Sequence, residues 1–323
     1  MRVLVTGGSG YLGGAIVRAL AARGHEPIVF ARRASAAGLP GRAVDGDVRD
    51  RAAVRRAAEG VEAIVHTAAL VSVWHRQPSM FDEVNVGGLE ASLDAVRVLG
   101  IRRILYTSSF LARPPADSPV VLAANDYQRT KTRARMVALA AVEAGVPLVS
   151  LVPGVVYGPG EGTEGNLIGR MIRDHLAGRL PGLIGADRCW SYAHVNDVAD
   201  AHVSALTLKV PAGEYLLGGD NVPQMRIFEV VRNETCAALP RRIPFGLASA
   251  VGWVEEMRAG LTGRPPAITR GIVEIFRHDW SMDSARSKDA LNYRITPLET
   301  GLRDLLSSMS GVLNAASAEG SAR

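Results

Sequence analysis

The chain has 323 residues, of which 47% are hydrophobic and 21% charged, a composition typical of folded globular proteins and unlike that of disordered or collagen-like chains. Its formal net charge of +5 comes from 37 basic and 32 acidic residues, with the arginines scattered in short pairs. Because aromatic residues make up only 5% and no basic block occurs, we expect no nucleic-acid partner.

Cysteine usage and the N-terminus indicate a cellular compartment. Cys189 and Cys236 are far apart and belong to no C-x-x-C pair, so we expect neither a disulfide framework nor a metal site. The apolar stretch before the first glycine pair is too short for a signal peptide, and no apolar run reaches the roughly 18 residues of a membrane span. These features predict a cytoplasmic protein with no membrane partner.

Short apolar runs alternate with helical patterns along the first half of the chain, as in parallel βαβ units. Unalternating apolar runs are typical of strands that helices cover on both faces. The predicted strands are 3–5, 27–30, 63–66, 103–106 and 148–152. The fold class is therefore α/β, a doubly wound parallel sheet of six or seven strands.

Beyond Pro153 a stretch rich in glycine and proline interrupts this alternation and marks a boundary. Helical spacing resumes at 166–180, a strand-like piece occurs at 215–217, and 194–206 is typical of a capped helix that returns to the first domain. We predict a dinucleotide-binding domain and a smaller C-terminal substrate-binding region. The dinucleotide-binding domain is predicted at 1–155, with a return segment at about 191–210. The substrate-binding region is predicted at 156–190 and 211–310, and a flexible tail at 311–323.

A glycine-rich turn directly follows the first strand and opens a helix, with glycines at positions 7, 10 and 13. Such a turn lets the backbone approach a pyrophosphate, while the helix directs free N–H groups at the anion. A purely structural turn is the alternative. The predicted cofactor contacts here are Gly7, Ser9, Gly10, Tyr11, Leu12 and Gly13.

The second strand ends without the acidic residue that would hold the adenosine ribose, and Arg32 and Arg33 follow instead. Two guanidinium groups suit a 2′-phosphate, which predicts NADP(H) in preference to NAD(H), although NAD(H) is possible and a solvated arginine pair is the alternative. Asp47 and Val48 follow the third strand, where the carboxylate could accept the adenine amino group or be a simple turn residue.

Tyr127 and Lys131 open a helical pattern that continues to about Val142, so they lie one turn apart on one face. An ammonium close to a phenol favours the phenolate, and we expect Lys131 to lower the pKa of Tyr127 towards the range of a general acid or base. Hydroxyls of Thr107 to Ser109 follow a central strand and are expected to face the same ligand crevice.

Several motifs occur together in one order, and with them the sequence resembles the extended short-chain dehydrogenase/reductases, which include epimerases, dehydratases and dihydroflavonol-reductase-like enzymes. The resemblance covers roughly residues 1–308. The motifs are T-G-G-S-G-Y-L-G at 6–13, G-D-V-R-D at 46–50, H-T-A-A at 66–69, N-V-G-G at 85–88, T-S-S at 107–109, Y-Q-R-T-K at 127–131, P-G-V-V-Y-G-P-G at 153–160 and H-V-N-D-V-A-D-A-H at 194–202.

The resemblance implies a Rossmann-type sheet and a role for each matching residue. Ser109, with Ser108 as the alternative, would bind the substrate oxygen, Tyr127 would exchange its proton, and Lys131 would hold the nicotinamide ribose. Asn85 would be a helix cap or an active-site organiser. Further cofactor contacts would come from Ala68, Ala69, Thr107, Pro153, Val155 and Val156.

One departure from the family pattern concerns the pocket. Ser109 and Tyr127 lie only 18 positions apart, and three prolines occur between them. This shortened loop should open the pocket or leave its closure to other segments.

For several other polar residues, a structural role is an alternative to a functional one. His66 lies in an apolar strand, which favours a core histidine, while Trp74 and His75 lie in a loop where substrate contact and packing are both open. His194 and Asp197 are expected to serve the return helix. Glu255, Glu256 and Arg258 are typical of a solvated helical face.

Two catalytic functions remain open at this point, with a non-catalytic NADP-binding regulator as a third interpretation. The first is an NADP(H)-dependent oxidoreductase that reduces a ketone or aldehyde, or oxidises the matching alcohol, in an apolar pocket. The second is a sugar-nucleotide epimerase or dehydratase with a tightly held cofactor. The pocket candidates are Leu183, Ile184, Phe245, Leu247, Trp253 and Phe276, and the diphosphate-binding candidates are Arg170, Arg173, Arg188 and Arg270. The resemblance also suggests a homodimer through helices near 91–98 and 130–143.

Overall fold

The computed structural model describes residues 1–160 and 163–320, with side chains up to residue 309. The strands are β1 Arg2–Thr6, β2 Glu26–Ala31, β3 Arg42–Asp45, β4 Ala63–His66, β5 Arg103–Thr107, β6 Leu148–Pro153, β7 Val155–Tyr157, β8 Leu183–Ile184, β9 Cys189–His194, β10 Gly213–Leu217, β11 Asp220–Pro223 and β12 Arg242–Ile243. The helices are α1 Tyr11–Ala22, α2 Arg51–Ala57, α3 Ser79–Asp82, α4 Gly88–Leu99, α5 Asp126–Glu143, α6 Leu167–Leu176, α7 Val195–Thr207, α8 Gln224–Thr235, α9 Phe245–Thr262, α10 Arg270–Phe276, α11 Ala285–Leu291 and α12 Leu298–Gly320.

Seven parallel strands form the central sheet in the order β10-β6-β5-β4-β1-β2-β3. The predicted doubly wound parallel sheet is confirmed, and the five strands expected from apolar runs are present. They are apolar along their length because both faces are covered. Val3 and Val5 pack with α1 and α7, whereas Leu4 packs with α2, α4 and α5 on the opposite face.

A second apolar cluster lies outside the central sheet. It combines β7 and β9 with α6, α8, α10 and α12, around Trp190, Phe228 and Trp280. A three-stranded sheet, β11-β9-β7, and a two-stranded sheet, β12-β8, accompany it. This part of the chain corresponds to the predicted smaller region, whose assignment to substrate binding stays a prediction.

The strand β10 belongs to the central sheet and not to the smaller region in which the sequence placed it. Residues 211–310 were assigned to the smaller region, but Gly213–Leu217 pairs with β6 as the edge strand of the central sheet. The physical reason is that α7, on the face covered by α1, provides the crossover a further parallel strand requires. The returning segment therefore extends beyond residue 210. In the described part of the chain, no helix has the length and apolar character needed to cross a membrane.

Candidate active site at the carboxyl edge of the sheet

The glycine turn between β1 and α1 brings backbone atoms so close together that side chains are excluded. Gly7 has a φ of +71°, and a Cβ on Gly13 would lie 2.2 Å from the carbonyl oxygen of Gly7. The Gly10 N–H donates to that oxygen at 2.9 Å, while α1 begins without a side-chain cap and without an acidic residue in its first turn. The first N–H groups of α1 are thus directed at an open, anion-accepting position.

The predicted contacts Ala68 and Ala69 lie beside this turn. A Cβ on Gly7 would come within 2.6 Å of the Ala68 Cα, and Thr67 donates from its N–H and its Oγ1 to the Thr6 carbonyl at 3.1 and 2.9 Å. These bonds join the ends of β1 and β4 and hold Ala68 against the turn, while the cofactor contact of Ala69 stays a prediction. The cradle fits the pyrophosphate and ribose of a dinucleotide.

Tyr11 connects the turn to the segment that follows β6. Its hydroxyl donates to the Gly158 carbonyl at 3.0 Å, and its ring lies against Gly160. Pro153 is buried at the end of β6 opposite Leu217, and Val155 and Val156 form β7. Ser9 and Leu12 remain accessible at the surface of the turn.

Arg32 and Arg33 follow β2 and are exposed, and no described acidic side chain lies within ion-pair distance of either. The nearby carboxylates are engaged elsewhere. Asp45 accepts from the N–H and Oγ of Ser35, and Asp47 accepts from the guanidinium of Arg49 at 2.8 Å. The hydrogen bond from Arg49 lowers the pKa of Asp47. Val48 is buried against Gly88, and the adenine contacts proposed for Asp47 and Val48 stay predictions.

Lys131 is almost completely buried, with 3% of its surface exposed, yet no described carboxylate pairs with it. Its ammonium donates to the Thr107 carbonyl at 3.0 Å and lies 5.3 Å from the centre of the Tyr106 ring. Burial without a counter-ion disfavours the charged form and lowers the pKa of Lys131 to about 8. The end of β5 therefore fixes this amine through the backbone of Thr107.

The hydroxyl of Thr107 points to the other face of the sheet rather than into the crevice. It lies 2.9 Å from Nε2 of buried His202, whose Nδ1 lies 2.7 Å from the Val198 carbonyl. A carbonyl can only accept, so Nδ1 carries the hydrogen and Nε2 accepts from Thr107. Burial lowers the pKa of His202 to about 4, which keeps the ring neutral at physiological pH. The expectation that the Thr107 hydroxyl faces the ligand was wrong.

Tyr127 lies in the first turn of α5, partly exposed, with the Ser109 hydroxyl as its polar neighbour. Desolvation raises the pKa of Tyr127, and the interaction with Ser109 opposes this rise. The expected lowering by Lys131 does not occur in this structure, because the ammonium is directed at the Thr107 carbonyl. Ser109 accepts from the Leu111 N–H at 3.2 Å, while the Ser108 Oγ is buried and without a partner among the described residues.

Three polar side chains fix the position of α5. Asn125 caps the helix by accepting from the Gln128 N–H at 2.8 Å. Gln128, buried one residue after Tyr127, accepts from the Ala124 N–H at 3.0 Å and donates to the Leu111 carbonyl at 3.1 Å. Asn85 accepts from the Leu70 N–H at 2.7 Å and donates to the Thr130 Oγ1 at 2.9 Å.

Asn85 caps no helix, which excludes one of its two predicted roles, and its role as an active-site organiser stays a prediction. It lies in a π-helical turn, Glu83–Gly87, that continues α3 into α4. Sequence reasoning missed Gln128, Thr130 and His202, although polar residues in an otherwise apolar helix pattern were a usable signal.

Other segments cover the short loop after Ser109. Phe110 packs against Trp190 and Trp280, with ring centres 6.0 and 5.4 Å apart, and the Ala116 N–H donates to the Asp279 carbonyl at 2.7 Å. Of the predicted pocket residues, Leu183 belongs to the apolar cluster and Phe276 packs against Trp190. Two other candidates, Leu247 and Trp253 on α9, are more than half exposed, and their assignment to the pocket stays a prediction.

The remaining candidates have mainly structural contacts. His66 is buried between Thr6 and Ser92, each 2.9 Å from its Nδ1, and burial lowers its pKa to about 3, as expected for a core histidine. Asp197 in the first turn of α7 accepts from the Thr296 N–H at 2.6 Å. His194 precedes α7 and is buried without a described hydrogen-bond partner.

Trp74 and His75 line a cleft of about 390 Å³ between their loop and the end of α9. Glu255 and Glu256 form ion pairs with Arg258 and Arg270 rather than a freely solvated face. Within residues 1–160 and 163–320, no cluster of three or more His, Cys, Asp or Glu residues could hold a metal ion.

The seven-stranded parallel sheet, together with the family model and the relatives, identifies an enzyme of the extended short-chain dehydrogenase/reductase type. The model of the NAD dependent epimerase/dehydratase family matches residues 3–218, and the chain belongs to this family.

Two of the relatives that are 30% identical to the chain align over almost its whole length. Sterol demethylase protein B of Methylococcus capsulatus aligns over 94% of this chain and 97% of its own length. A 2-alkyl-3-oxoalkanoate reductase of Stenotrophomonas maltophilia aligns over 95% of this chain and 99% of its own length. Among solved structures, the Thermus thermophilus UDP-glucose 4-epimerase in complex with NAD shares the fold at 23% identity, with a TM-score of 0.73 and coverage of 96% of this chain and 99% of that one.

Substituting Gly13 tests the cradle. Gly13→Ala places a methyl group 2.2 Å from the Gly7 carbonyl oxygen, so the turn must open, and we expect at least about tenfold weaker dinucleotide binding by titration calorimetry. Gly14→Ala is the matched control, since the nearest atom to its Cβ is 3.6 Å away. If Gly13→Ala bound NADPH and NADH as tightly as Gly14→Ala does, the proposed geometry of the turn would be wrong.

Lys131→Met tests whether the buried amine is held at a cost to stability. Removing it should raise the free energy of unfolding of the cofactor-free protein at pH 7 by about 2 kcal/mol, because burial of the ammonium is no longer required. Urea denaturation measures this, with exposed Lys209→Met as the control.

The pH dependence of this gain has a defined sign. Between pH 8 and 10.5 the unfolded lysine, with its pKa near 10.5, binds more protons than the folded one. The free energy of unfolding of the wild type therefore rises with pH relative to that of Lys131→Met, and the difference between the two proteins becomes smaller. A difference that is independent of pH across this window would show that desolvation of Lys131 is not its origin.

Proposed function

We propose that the protein is an NADP(H)-dependent oxidoreductase that reduces a ketone or aldehyde, or oxidises the matching alcohol, with Ser109, Tyr127 and Lys131 as its catalytic residues. The observation that carries the proposal is the buried Lys131 ammonium, bonded to the Thr107 carbonyl and one helical turn from Tyr127. An unpaired buried amine costs stability, and such costs are concentrated at functional sites. Its neighbours supply the remaining groups that carbonyl reduction needs.

The protonation states suit donation of a proton to a carbonyl oxygen. Because burial raises its pKa, the Tyr127 phenol is protonated at neutral pH and can transfer its proton as the substrate oxygen gains charge. Ser109 accepts from the Leu111 N–H and could donate its own O–H to the same oxygen in place of its interaction with Tyr127. The bound nicotinamide would supply or take the hydride. Lys131 would hold the nicotinamide ribose beside Tyr127.

The charges beyond β2 support a preference for NADP(H). Arg32 and Arg33 are exposed and without a described ion-pair partner, whereas Asp45 and Asp47 are engaged by Ser35 and Arg49. Asp47 is paired with a cation, whereas Asp45 keeps its charge because the hydrogen bonds from Ser35 lower its pKa. The two guanidinium groups could bind a 2′-phosphate in charge-assisted fashion. Use of NAD(H) remains compatible with the same cradle.

The substrate class follows from the relatives and the surroundings of the site. One relative's name denotes reduction of a 3-oxoalkanoate and the other's denotes a sterol, and both compounds combine an oxygen function with an apolar body. Phe110, which is partly exposed directly after Ser109, provides apolar surface there, and the buried Trp190 and Trp280 pack behind it. We therefore propose an apolar carbonyl compound or secondary alcohol.

A sugar-nucleotide epimerase or dehydratase is the second candidate, favoured by the family model and by the fold shared with the UDP-glucose epimerase. A nucleoside diphosphate needs uncompensated cations near the site. Arg270 pairs with Glu256 at 2.7 Å, and Arg188 lies 3.9 and 3.8 Å from Asp117 and Asp279. This compensation leaves Arg170 and Arg173 as candidates and favours the reductase.

We further propose a cytoplasmic homodimer through α4 and α5. Val98 and Met136 on these helices are more than half exposed, and Leu99 is partly exposed. A pair of helices with outward apolar residues is suited to contact the same pair of a second copy.

Tyr127→Phe tests the proposed chemistry. A panel of ketones, aldehydes and nucleotide sugars with NADPH oxidation monitored identifies a working substrate. With that substrate the variant should lose about 10²–10⁴-fold in kcat, because the proton donor is removed, while NADPH affinity stays unchanged. Tyr192→Phe is the control, since its buried hydroxyl has no described partner. Retained turnover in Tyr127→Phe would refute the role of the phenol, and absence of wild-type turnover would favour a regulator.

Arg32→Ala tests the cofactor preference. The ratio of kcat/KM for NADPH to that for NADH should fall about tenfold or more, because a charge-assisted contact to the 2′-phosphate is lost. Arg97→Ala removes an exposed arginine at the end of α4 and should leave the ratio unchanged. An unaltered ratio in both Arg32→Ala and Arg33→Ala would exclude the assignment.

A further inference from the structure

We propose that the outer face of α9 docks the protein onto the surface of a membrane that contains anionic phospholipids. Of the fourteen large apolar side chains that are exposed among those described, six lie on this one helix. Their exposed fractions range from 44% to 86%. The six, called here the α9 face, are Leu247, Val251, Trp253, Val254, Met257 and Leu261. Contiguous exposed apolar surface of this kind marks an interaction site in a folded protein.

The α9 face is continuous because of its helical spacing. At 3.6 residues per turn the six side chains fall within an arc of roughly 160°. The side chains that face the protein are small, namely Ala248, Gly252 and Ala259. A Cβ on Gly252 would lie 3.0 Å from the Arg270 N–H nitrogen, so the helix packs closely against the start of α10. The usual arrangement is thus inverted, with the large apolar residues on the outside.

The charges around the α9 face are complementary to an anionic surface. Between residues 241 and 270 there are five arginines and two glutamates, a net charge of +3. Both glutamates are neutralised at the flanks of the helix, Glu255 by Arg258 and Glu256 by Arg270, each at 2.7 Å. Exposed Arg241 and Arg264 near the two ends of α9 have no described ion-pair partner. Such a helix can lie in the interface, with arginines at the level of anionic headgroups.

These charges favour a lipid surface over a second copy of the chain. In a symmetric dimer through the α9 face, each copy would bring the same net positive segment against its counterpart, without free carboxylates to compensate it. An indole that is half exposed, as that of Trp253 is, is also a typical side chain of the membrane–water interface. The proposal departs from the expectation of no membrane partner, and it requires no membrane-spanning helix.

The α9 face continues into the cleft that the loop after β4 forms with the end of α9. Leu261, its most exposed member, also lines the cleft with Trp74 and Pro78, and Val71 and Val73 are exposed on the same loop. Docking would therefore place the cleft entrance next to the lipid. An apolar substrate could then enter from the bilayer, a consequence that rests on the proposed function, whereas docking itself does not.

Vesicle binding by the full-length protein tests the proposal without any assay of activity. Co-sedimentation should show binding to vesicles of phosphatidylcholine and phosphatidylglycerol in equal parts, much weaker binding to phosphatidylcholine alone, and a decrease with added salt. The double variant L247N/L261N should bind about tenfold more weakly or worse, because it removes apolar area from the face. The control V120N/L176N removes exposed apolar residues outside α4, α5 and α9 and should bind like the wild type.

The emission of Trp253 gives an independent reading, since Trp190 and Trp280 are buried and Trp74 is retained in all samples. Anionic vesicles should shift the wild-type emission to shorter wavelength, and most of this shift should be lost in Trp253→Phe, where Trp74 beside the cleft provides the remainder. Absence of binding, or equal binding by L247N/L261N, would overturn the proposal. So would vesicle-independent dimerisation that L247N/L261N abolishes, because a second copy would then occupy the face.

Discussion

The candidate site depends on the hydrogen bond from the buried Lys131 ammonium to the Thr107 carbonyl at the end of β5. An amine inside a protein without a carboxylate partner opposes folding, and only a rigid surrounding can hold it there. That surrounding is assembled from the whole central unit: β5 fixes the carbonyl, α5 presents the amine, and Asn85 connects α5 to the loop after β4. The same connections bring Tyr127 to Ser109.

Local sequence patterns predicted much of the architecture. Val3 to Val5 and the other apolar runs defined the strands, because a strand covered on both faces has a nearly continuous apolar sequence. Gly7, Gly10 and Gly13 defined the turn, in which the backbone leaves no room for a Cβ at Gly7 and Gly13. The spacing of Tyr127 and Lys131 placed both on one helical face. These features depend on neighbouring residues, so a single sequence contains the information for them.

Features that depend on distant parts of the chain were not predictable in this way. The partner of the Thr107 hydroxyl is His202, which reaches it from the opposite side of the sheet. Gly213–Leu217 has the composition of any short strand, and only the crossover through α7 assigns it to the central sheet. On α9, apolar residues occur all around the helix, so that no periodicity indicated that Leu247 and Trp253 point outward. The pKa of Tyr127 likewise depends on where the Lys131 ammonium points, which spacing alone does not determine.

The position of β10 also affects how the protein can be divided. After β6 the chain builds part of the outer apolar cluster and then returns through α7 to add the last strand to the central sheet. The two structural units are thereby interleaved along the polypeptide. A fragment that ends before Gly213 would leave β6 as an open edge, with unpaired backbone groups available for aggregation. Excising the cofactor-binding half as an autonomous module, or exchanging the outer half between homologues at a single junction, is therefore incompatible with this topology.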